Sequence, residues 1–425
     1  MQVSQQLAAQ AVGQVLAGRN LSVVLEELFQ HHRNITPQQR AASQDLAYGT
    51  LRFYARLEAL LQQLLQKPLS DAFIHHLLLV SLYQLSYDKA AAHTIVNQAV
   101  LAAAKTRKSW AKGLVNAVLR NFLRQRDILE QQLADNEVAQ YSYPQWWINK
   151  LKQQYPQHWQ SMLEAGNQHP PMTLRTNRRH GDAGSYLQQL QLAGLEAHVL
   201  DKQAVMLKRP APVHQLPGFA QGQVSVQDWG AQLAALELEA ADGMRVLDAC
   251  CAPGGKTSHV LELADVQMTA MDHDAQRLQR VRQNLDRLNL HATLLQGDAS
   301  TPDTWWDGVP YDRILADVPC TASGIVRRHV DIKWLRRESD IATFATQQKM
   351  ILQGLWQLLV KGGKLLYVTC SVFHEENQQQ ITQFLHSQPD AQLLSLKHTL
   401  LQSSQGQLLP GTEHDGFFYA LLQKT

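Results

Sequence analysis

Asp248-Ala249-Cys250-Cys251-Ala252-Pro253-Gly254-Gly255-Lys256-Thr257 is the stretch whose reading decides the fold. It follows an apolar strand-like run, Met244–Asp248, and leads into a helical run, Thr257–Ala264. A strand, a glycine turn and a helix in succession open a βαβ unit. The closing Gly-Gly-Lys-Thr invites a P-loop reading, which needs a glycine five residues before the last one. Position 250 is cysteine, so that reading fails, and there is no Gly-x-Gly-x-x-Gly. What remains is a tight turn that brings backbone amides to a ligand at a helix N-terminus.

The alternation continues downstream. The sequence predicts strands at Gln267–Asp272, Ala292–Gln296, Arg313–Asp317, Lys364–Thr369 and Phe417–Leu422. Helices are expected over Arg277–Leu288 and 339–359, the second stopping at Lys361-Gly362-Gly363. Such a pattern implies a mostly parallel sheet with helices on both faces, in which ligands bind at the C-terminal strand ends. Residues that carry chemistry fall there. Asp272 lies seventeen residues after Gly255, where an acid accepts the ribose hydroxyls of an adenosine. Asp298, in Gln296-Gly297-Asp298, is placed to accept from an adenine amino group. Asp317 opens Asp317-Val318-Pro319-Cys320 and suits a hydrogen bond from a base's exocyclic amine. Cys370 sits between Thr369 and Ser371. By position Cys320 and Cys370 are equal candidates for a nucleophile. The alternative for either is a small buried hydrophobe.

Upstream, residues 1–140 read as helix throughout. Leu51–Leu65, Ile95–Ala104 and Leu114–Leu123 all repeat apolar residues at helical spacing. The overall charge of +2 hides an asymmetry: residues 1–127 hold 14 Lys+Arg against 7 Asp+Glu, and the remainder 25 against 30. A basic N-terminal part points to a polyanionic partner or to a solvated helical surface. Arg107, Lys108 and Lys112 lead into Arg120, Arg124 and Arg126, and positions 120 and 124 share a helix face that faces either phosphates or water. Tyr141, Tyr143, Trp146, Trp147, Tyr155 and Trp159, beside Lys150 and Lys152, serve base stacking or, more commonly, packing. Met172–Asn177, a helix carrying Tyr186, Leu187 and Leu190, and strands near Ala197–Leu200 and Val205–Leu207 form a small α+β module. Pro210, Pro212, Pro217, Gly218 and Gly222 mark turns after it.

At 425 residues the chain has room for two or three domains. No apolar run is long enough to cross a bilayer, and Ala72–Tyr87 is interrupted by His75, His76 and Gln84. The first twenty residues lack a signal peptide's apolar region. They also lack acids and carry Arg19, as transit peptides do; the reading taken is an amphipathic first helix. Four cysteines in this length make no disulfide framework. No Cys-x-x-Cys suggests zinc or thiol-redox chemistry. Reduced thiols, a cytoplasmic location, no metal, no membrane and a monomer are the expectations.

Taken in order, DACCAPGGKT, the DVPC stretch and YVTCS resemble the RNA cytosine-C5 methyltransferases that use S-adenosylmethionine. The segment Ile325–Arg337, the basic helical N-terminus and the closing Asp415-Gly416-Phe417-Phe418 narrow the resemblance to the branch acting on small-subunit ribosomal RNA. It spans essentially the whole chain. It implies a multidomain protein: a NusB-like helical RNA-binding domain over 1–140, a ferredoxin-like α+β module over 141–222, and a class I, Rossmann-like α/β methyltransferase domain over 223–425. It implies S-adenosylmethionine as cofactor and 16S rRNA, free or in an early assembly intermediate, as partner, with the cytosine at RNA position 967 as target. Through the same resemblance Cys250, Cys251, Ala252, Pro253, Gly254, Gly255 and Lys256 form the cofactor loop, and Asp272 and Asp298 are the ribose and adenine acids. Asp317 is the acid at the target base, bordering the cofactor. Cys370 is the nucleophile, and Cys320 assists release of the methylated RNA. Cys251 stands where the family usually has Ala, and Val318 and Thr321 replace Ala and Ser; these departures touch local packing.

The chemistry implied is specific. Carbon 5 of cytosine is a poor nucleophile until a thiolate adds at carbon 6. The base must be unstacked to reach a pocket, which favours a loop or a partly unfolded rRNA segment. Two other readings compete. One is methylation of another RNA, such as a tRNA, by the same chemistry. The other is a non-catalytic assembly factor, which should have lost one of Asp272, Asp317 or Cys370; none is lost.

Overall fold

A computed structural model describes residues 1–32, 34–106 and 108–425; Arg107 of the basic run lies outside the described residues. The chain forms two compact units, residues 1–168 with 326–338, and residues 169–325 with 339–425.

The first unit is helical. Helix Ala72–Tyr87 buries Ile74 and every residue from Leu77 to Leu85, the pattern of a helix surrounded by others. Around it pack Ala8, Val12, Leu25, Leu57, Ile95, Val115 and Phe122 from neighbouring helices. The helix starts are set by local chemistry. The Asn20 side chain accepts from the Ser22 and Val23 amides, Thr36 and Gln39 form a capping box ahead of Pro37, and Asp71 accepts from the Ile74 amide. In helix Ala111–Gln132, Lys112, Arg120 and Arg124 are exposed. Arg126 instead turns inward to the carbonyls of Leu85 and Ser86 and to Glu130. Lys108 pairs with Asp71. Within the aromatic stretch Tyr143 and Trp147 are buried, and Lys152 sits over the Trp159 ring; these residues pack.

Residues 326–338 belong to this unit although they follow the Asp317–Cys320 strand end in sequence. Lys333 is fully buried and donates to the carbonyls of Arg52 (2.7 Å) and Ser142 (2.9 Å) and to Asn167 Oδ1 (2.8 Å). Burial, with Arg52 adding to it, lowers its pKa well below the ordinary lysine value. Asp331 Oδ2 accepts from the Leu21 amide and the Asn20 side chain, both at 3.0 Å.

The second unit holds two sheets. In the smaller, β1 (Met172–Thr176), β2 (Ala197–Val199), β3 (Ala204–Leu207) and β4 (Val224–Val226) pair antiparallel in the order β2-β3-β1-β4. Helix Ala183–Leu192 covers it through Tyr186 and Leu190, against Leu174, Val205 and Val224. The larger sheet is built from β5 (Arg245–Asp248), β6 (Gln267–Asp272), β7 (Thr293–Gln296), β8 (Tyr311–Asp317), β9 (Leu359–Thr369), β10 (Ala391–Leu394), β11 (Gln407–Leu408) and β12 (Phe417–Lys424). Its order is β10-β12-β9-β8-β5-β6-β7, with β11 on β12. Strands β5 to β9 run parallel, and β12 runs against β9. The chain steps from β5 through β6 to β7 on one side, then back to β8 and β9 on the other. The switch point therefore lies between β5 and β8, where ligands bind in such sheets. Pairing aligns Asp248 with Leu315, Asp317 with Val368 and Asp272 with Gln296, so the strand ends share one edge.

One expectation is corrected. The helix runs from Glu338 to Gln357, and Lys361-Gly362-Gly363 lies inside β9 rather than after the helix. Gly362 has φ +80°, and the pairing of β8 with β9 shifts between Tyr311↔Leu359 and Arg313↔Lys364. The glycines serve a bulge. A residue that tolerates positive φ suits a helix stop and a bulge equally, so sequence alone does not separate them.

Candidate active site

The glycine turn leaves β5 at Asp248, which is buried. Its Oδ2 accepts from Thr257 Oγ1 at 2.6 Å, one helical turn into Gly255–Leu263. Its Oδ1 has no hydrogen-bond partner among the described residues. Burial pushes the Asp248 carboxyl up to about 7, with the nearby Asp317 charge adding to the push and the Thr257 hydrogen bond opposing it. Gly254 takes φ +94° as the helix begins, and a Cβ there would stand 3.0 Å from Val281. Both conformation and space call for glycine. Cys250 and Cys251 are held as neutral thiols, their pKa values raised by burial and by the surrounding aspartates. Cys251 packs into the core with Ala252 and Val281.

Asp272 ends β6 and is buried. One oxygen accepts from the Ala252 amide at 3.2 Å, the other from the Asp274 amide at 3.1 Å. Arg277 approaches it at 3.3 Å and also donates to the Ala252 carbonyl at 2.9 Å, tying turn to strand end. Asp298 is exposed after β7, its Oδ1 accepting from the Ser300 amide and hydroxyl.

On the other side of the switch point, Asp317 ends β8 and pairs with Lys256 at 2.7 Å. Burial works against the Lys256 charge, but Asp317 outweighs it and raises the pKa above the ordinary lysine value, so Lys256 is charged. Lys256 also lies over the Phe417 ring. Three residues beyond Asp317, the Cys320 sulfur meets the Cys370 sulfur at 3.4 Å. Cys320 is buried and Cys370 half-buried. The hydrogen bond to Cys370 and burial both push the Cys320 thiol well above its ordinary value. The Cys320 thiol is thus held neutral, within hydrogen-bond distance of the Cys370 sulfur.

The structure thus gathers Lys256, Asp317, Cys320 and Cys370 on one side of the switch point, and the glycine turn, Asp272 and Asp298 along the other. It also brings in groups that the sequence reading passed over. Arg175 of β1 is fully buried. It forms a two-pronged pair with Glu262 (2.6 and 3.0 Å) and donates to the Gly255 carbonyl at 2.7 Å. Glu376 is buried between the loops of the two cysteines, accepting from Thr321 and Ser371. The closing loop approaches as well: the Gly416 amide donates to the Gly324 carbonyl at 2.9 Å, and the Gly324 amide donates to the Cys370 carbonyl at 2.8 Å. Arg175 had no signal beyond an arginine in a strand-like run. Glu376 follows Glu375 in a stretch that carries no motif.

A sheet of this order, with a reversed β12 between β9 and β10 and a glycine turn at its switch point, defines a class I, Rossmann-like methyltransferase domain that uses S-adenosylmethionine. Comparison with known proteins agrees along the whole chain. Residues 235–423 match the family described as 16S rRNA methyltransferase RsmB/F, residues 143–214 its ferredoxin-like domain, and residues 2–124 the NusB family. The protein called ribosomal RNA small subunit methyltransferase B in Proteus mirabilis is 44% identical over 98% of each chain. The one of that name in Klebsiella pneumoniae is 46% identical, over 98% of this chain and 97% of its own. The crystal structure of PH0851 shares the fold over 100% of this chain and 99% of its own, with a TM-score of 0.79 and 22% identity. The chain belongs to the ribosomal RNA small subunit methyltransferase B family. Among the described residues no helix is long and apolar enough to cross a membrane.

Proposed function

We propose that this protein methylates carbon 5 of the cytosine at position 967 of 16S rRNA through a covalent cysteine–cytosine intermediate. The observation that carries the mechanism is the sulfur pair, 3.4 Å apart at neighbouring strand ends, one of which carries Asp317 paired with Lys256. The choice of substrate rests on family membership and on the motif set.

The residues present fit S-adenosylmethionine. Carboxylates stand at two adjacent strand ends, Asp272 and Asp298, to accept from hydroxyls and an amino group. The turn Cys250–Lys256 leads into a helix N-terminus suited to a carboxylate. When bound, this cofactor supplies an electrophilic methyl group on a sulfonium.

The chain's own groups do the rest. Cys370 adds as thiolate to carbon 6 of the flipped cytosine, which makes carbon 5 nucleophilic. Cys320, kept protonated, stabilises that thiolate before it attacks. Asp317 accepts from the exocyclic amine and, as the ring nitrogen takes up a proton from solvent during thiolate addition, from that N–H as well, and Lys256 fixes the carboxylate for this task. Once carbon 5 is methylated, a base takes its proton, the carbon 5–carbon 6 double bond re-forms, and the Cys370 thiolate leaves. Cys320 assists that release. The basic helical unit, with Lys112, Arg120 and Arg124 exposed, contacts RNA phosphates.

Bisulfite sequencing of 16S rRNA from a strain lacking this protein tests the reading. The expected result is loss of a protected cytosine at position 967 and its return with wild-type protein but not with Cys370→Ala. A site still methylated without the protein would overturn the substrate assignment.

A further inference from the structure

We propose that Glu376 is a positioning residue that sets the separation of the Cys320 and Cys370 sulfurs. The inference deepens the reading above and rests on it only for the catalytic consequence.

The sheet does not fix the sulfurs by itself. The pairing of β8 with β9 ends at Asp317↔Val368, and one further bond runs from the Val318 amide to the Val368 carbonyl. Both sulfurs lie beyond that point, where the two loops meet through the Gly324 amide on the Cys370 carbonyl at 2.8 Å and through Ser323 Oγ, 3.0 Å from Ser371 Oγ and accepting from the Val372 amide at 2.9 Å. Glu376 adds one carboxylate that accepts from both loops. Its Oε1 accepts from the Thr321 amide at 2.8 Å and from Gln348 Nε2 at 3.2 Å. Its Oε2 accepts from Thr321 Oγ1 at 2.5 Å and from Ser371 Oγ. Thr321 directly follows Cys320, and Ser371 directly follows Cys370, so one carboxylate holds both loops.

The neighbours complete the clamp. Gln348 also donates to the Pro319 carbonyl at 2.9 Å, on the other side of Cys320. Asn377 accepts from Thr369 Oγ1 at 2.6 Å and donates to the Ser371 carbonyl at 2.9 Å, on either side of Cys370. The Tyr367 hydroxyl donates to the Glu376 carbonyl at 2.7 Å and anchors the turn to β9. Every residue flanking a sulfur is thereby held, and the Glu376 carboxylate accepts from the residue that follows each sulfur. Four donors converge on its two oxygens. Glutamine offers one acceptor oxygen and turns its amide hydrogens toward groups that are themselves donating, so Glu376→Gln breaks the clamp with little change in volume.

The test reads sulfur geometry without catalysis. The full-length protein is equilibrated in a glutathione redox buffer and the Cys320–Cys370 disulfide is quantified by peptide mass spectrometry. Two protein thiols and one glutathione disulfide give the protein disulfide and two glutathiones, so the ratio reports how well the sulfurs are held together. The account expects the equilibrium constant to fall at least tenfold in Glu376→Gln. A threefold or larger fall is expected in the milder Thr321→Val and Ser371→Ala, which keep the carboxylate and serve if Glu376→Gln does not fold. Affinity for S-adenosylmethionine stays within twofold throughout, which separates the effect from general loosening. An equilibrium constant within twofold of wild type in folded variants would overturn the proposal. A second readout bears on the catalytic reading alone: with rRNA substrate, Glu376→Gln should accumulate covalent protein–RNA adduct relative to released product. If the disulfide equilibrium shifts while that ratio does not, the role given to Cys320 fails and the positioning role stands.

Discussion

Replacing Arg175 by methionine removes one half of an ion pair that has no access to water. Both side chains are fully buried, and the two prongs to Glu262 are 2.6 and 3.0 Å. Loss of the arginine strands a carboxylate whose pKa burial already raises. Removing one partner of a buried pair costs about 3–5 kcal/mol, whereas replacing both with apolar groups is often neutral or stabilising. Arg175→Met should therefore lower hydrogen-exchange protection of peptides covering β1 and Gly255–Leu263 by about a hundredfold or more. The double variant Arg175→Met/Glu262→Leu should recover most of it. Affinity for S-adenosylmethionine should not recover. In both variants the Gly255 carbonyl loses its 2.7 Å charged donor, a bond worth about 1.5–3 kcal/mol, so calorimetry should show the dissociation constant raised by roughly tenfold in each. Equal protection in wild type and single variant, or no recovery in the double, would refute the pairing argument. Recovery of cofactor affinity in the double would refute the role at Gly255.

Other consequences follow from the same geometry. Because the folded pKa of Asp248 is about 7, above the unfolded value near 4, its contribution is fully present below pH 4 and is lost as pH rises through 7. The loss across that window is on the order of 4 kcal/mol. Urea midpoints measured from pH 5 to 8 should fall more steeply with pH in wild type than in Asp248→Asn. A Cβ at Gly324 would stand 2.2 Å from the Gly416 carbonyl oxygen, so Gly324→Ala should displace the closing loop and cut the methylation rate by about tenfold or more, an overpacking cost of about 1–3 kcal/mol. Gly113, by contrast, is helical with open space around its Cβ position, and Gly113→Ala should stabilise the helical unit by roughly 0.5–1 kcal/mol in denaturation.

Legibility in the sequence followed the range of the interactions. Strands β5 to β9 and the aspartates and cysteines at their ends were readable because alternation, turns and strand ends are local patterns. Alternation implied a mostly parallel sheet with helices on both faces; the strand order came from the structure. What escaped depends on residues far apart in the chain. Arg175 meets Glu262 across 87 positions, and Glu376 meets Thr321 across 55; neither has a local signature. Lys333 lies in the motif segment Ile325–Arg337, whose pattern gives no sign of its burial against carbonyls of Arg52 and Ser142. Gly362 was legible as a special backbone position but not as a bulge, since positive φ serves both uses. For the cysteines, position alone left the pair equal, and the geometry shows why: the sulfurs touch. It is resemblance that divides their roles.

In the proposed mechanism Cys370 attacks and Cys320 assists release. Incubating Cys370→Ala and Cys320→Ala proteins with S-adenosylmethionine and 16S rRNA, then resolving covalent complexes by denaturing electrophoresis, tests it most directly. The account predicts neither adduct nor 5-methylcytosine with Cys370→Ala, and a stable adduct carrying methylated RNA with Cys320→Ala. Methylation that persists in Cys370→Ala, or an adduct formed through Cys320, would contradict it.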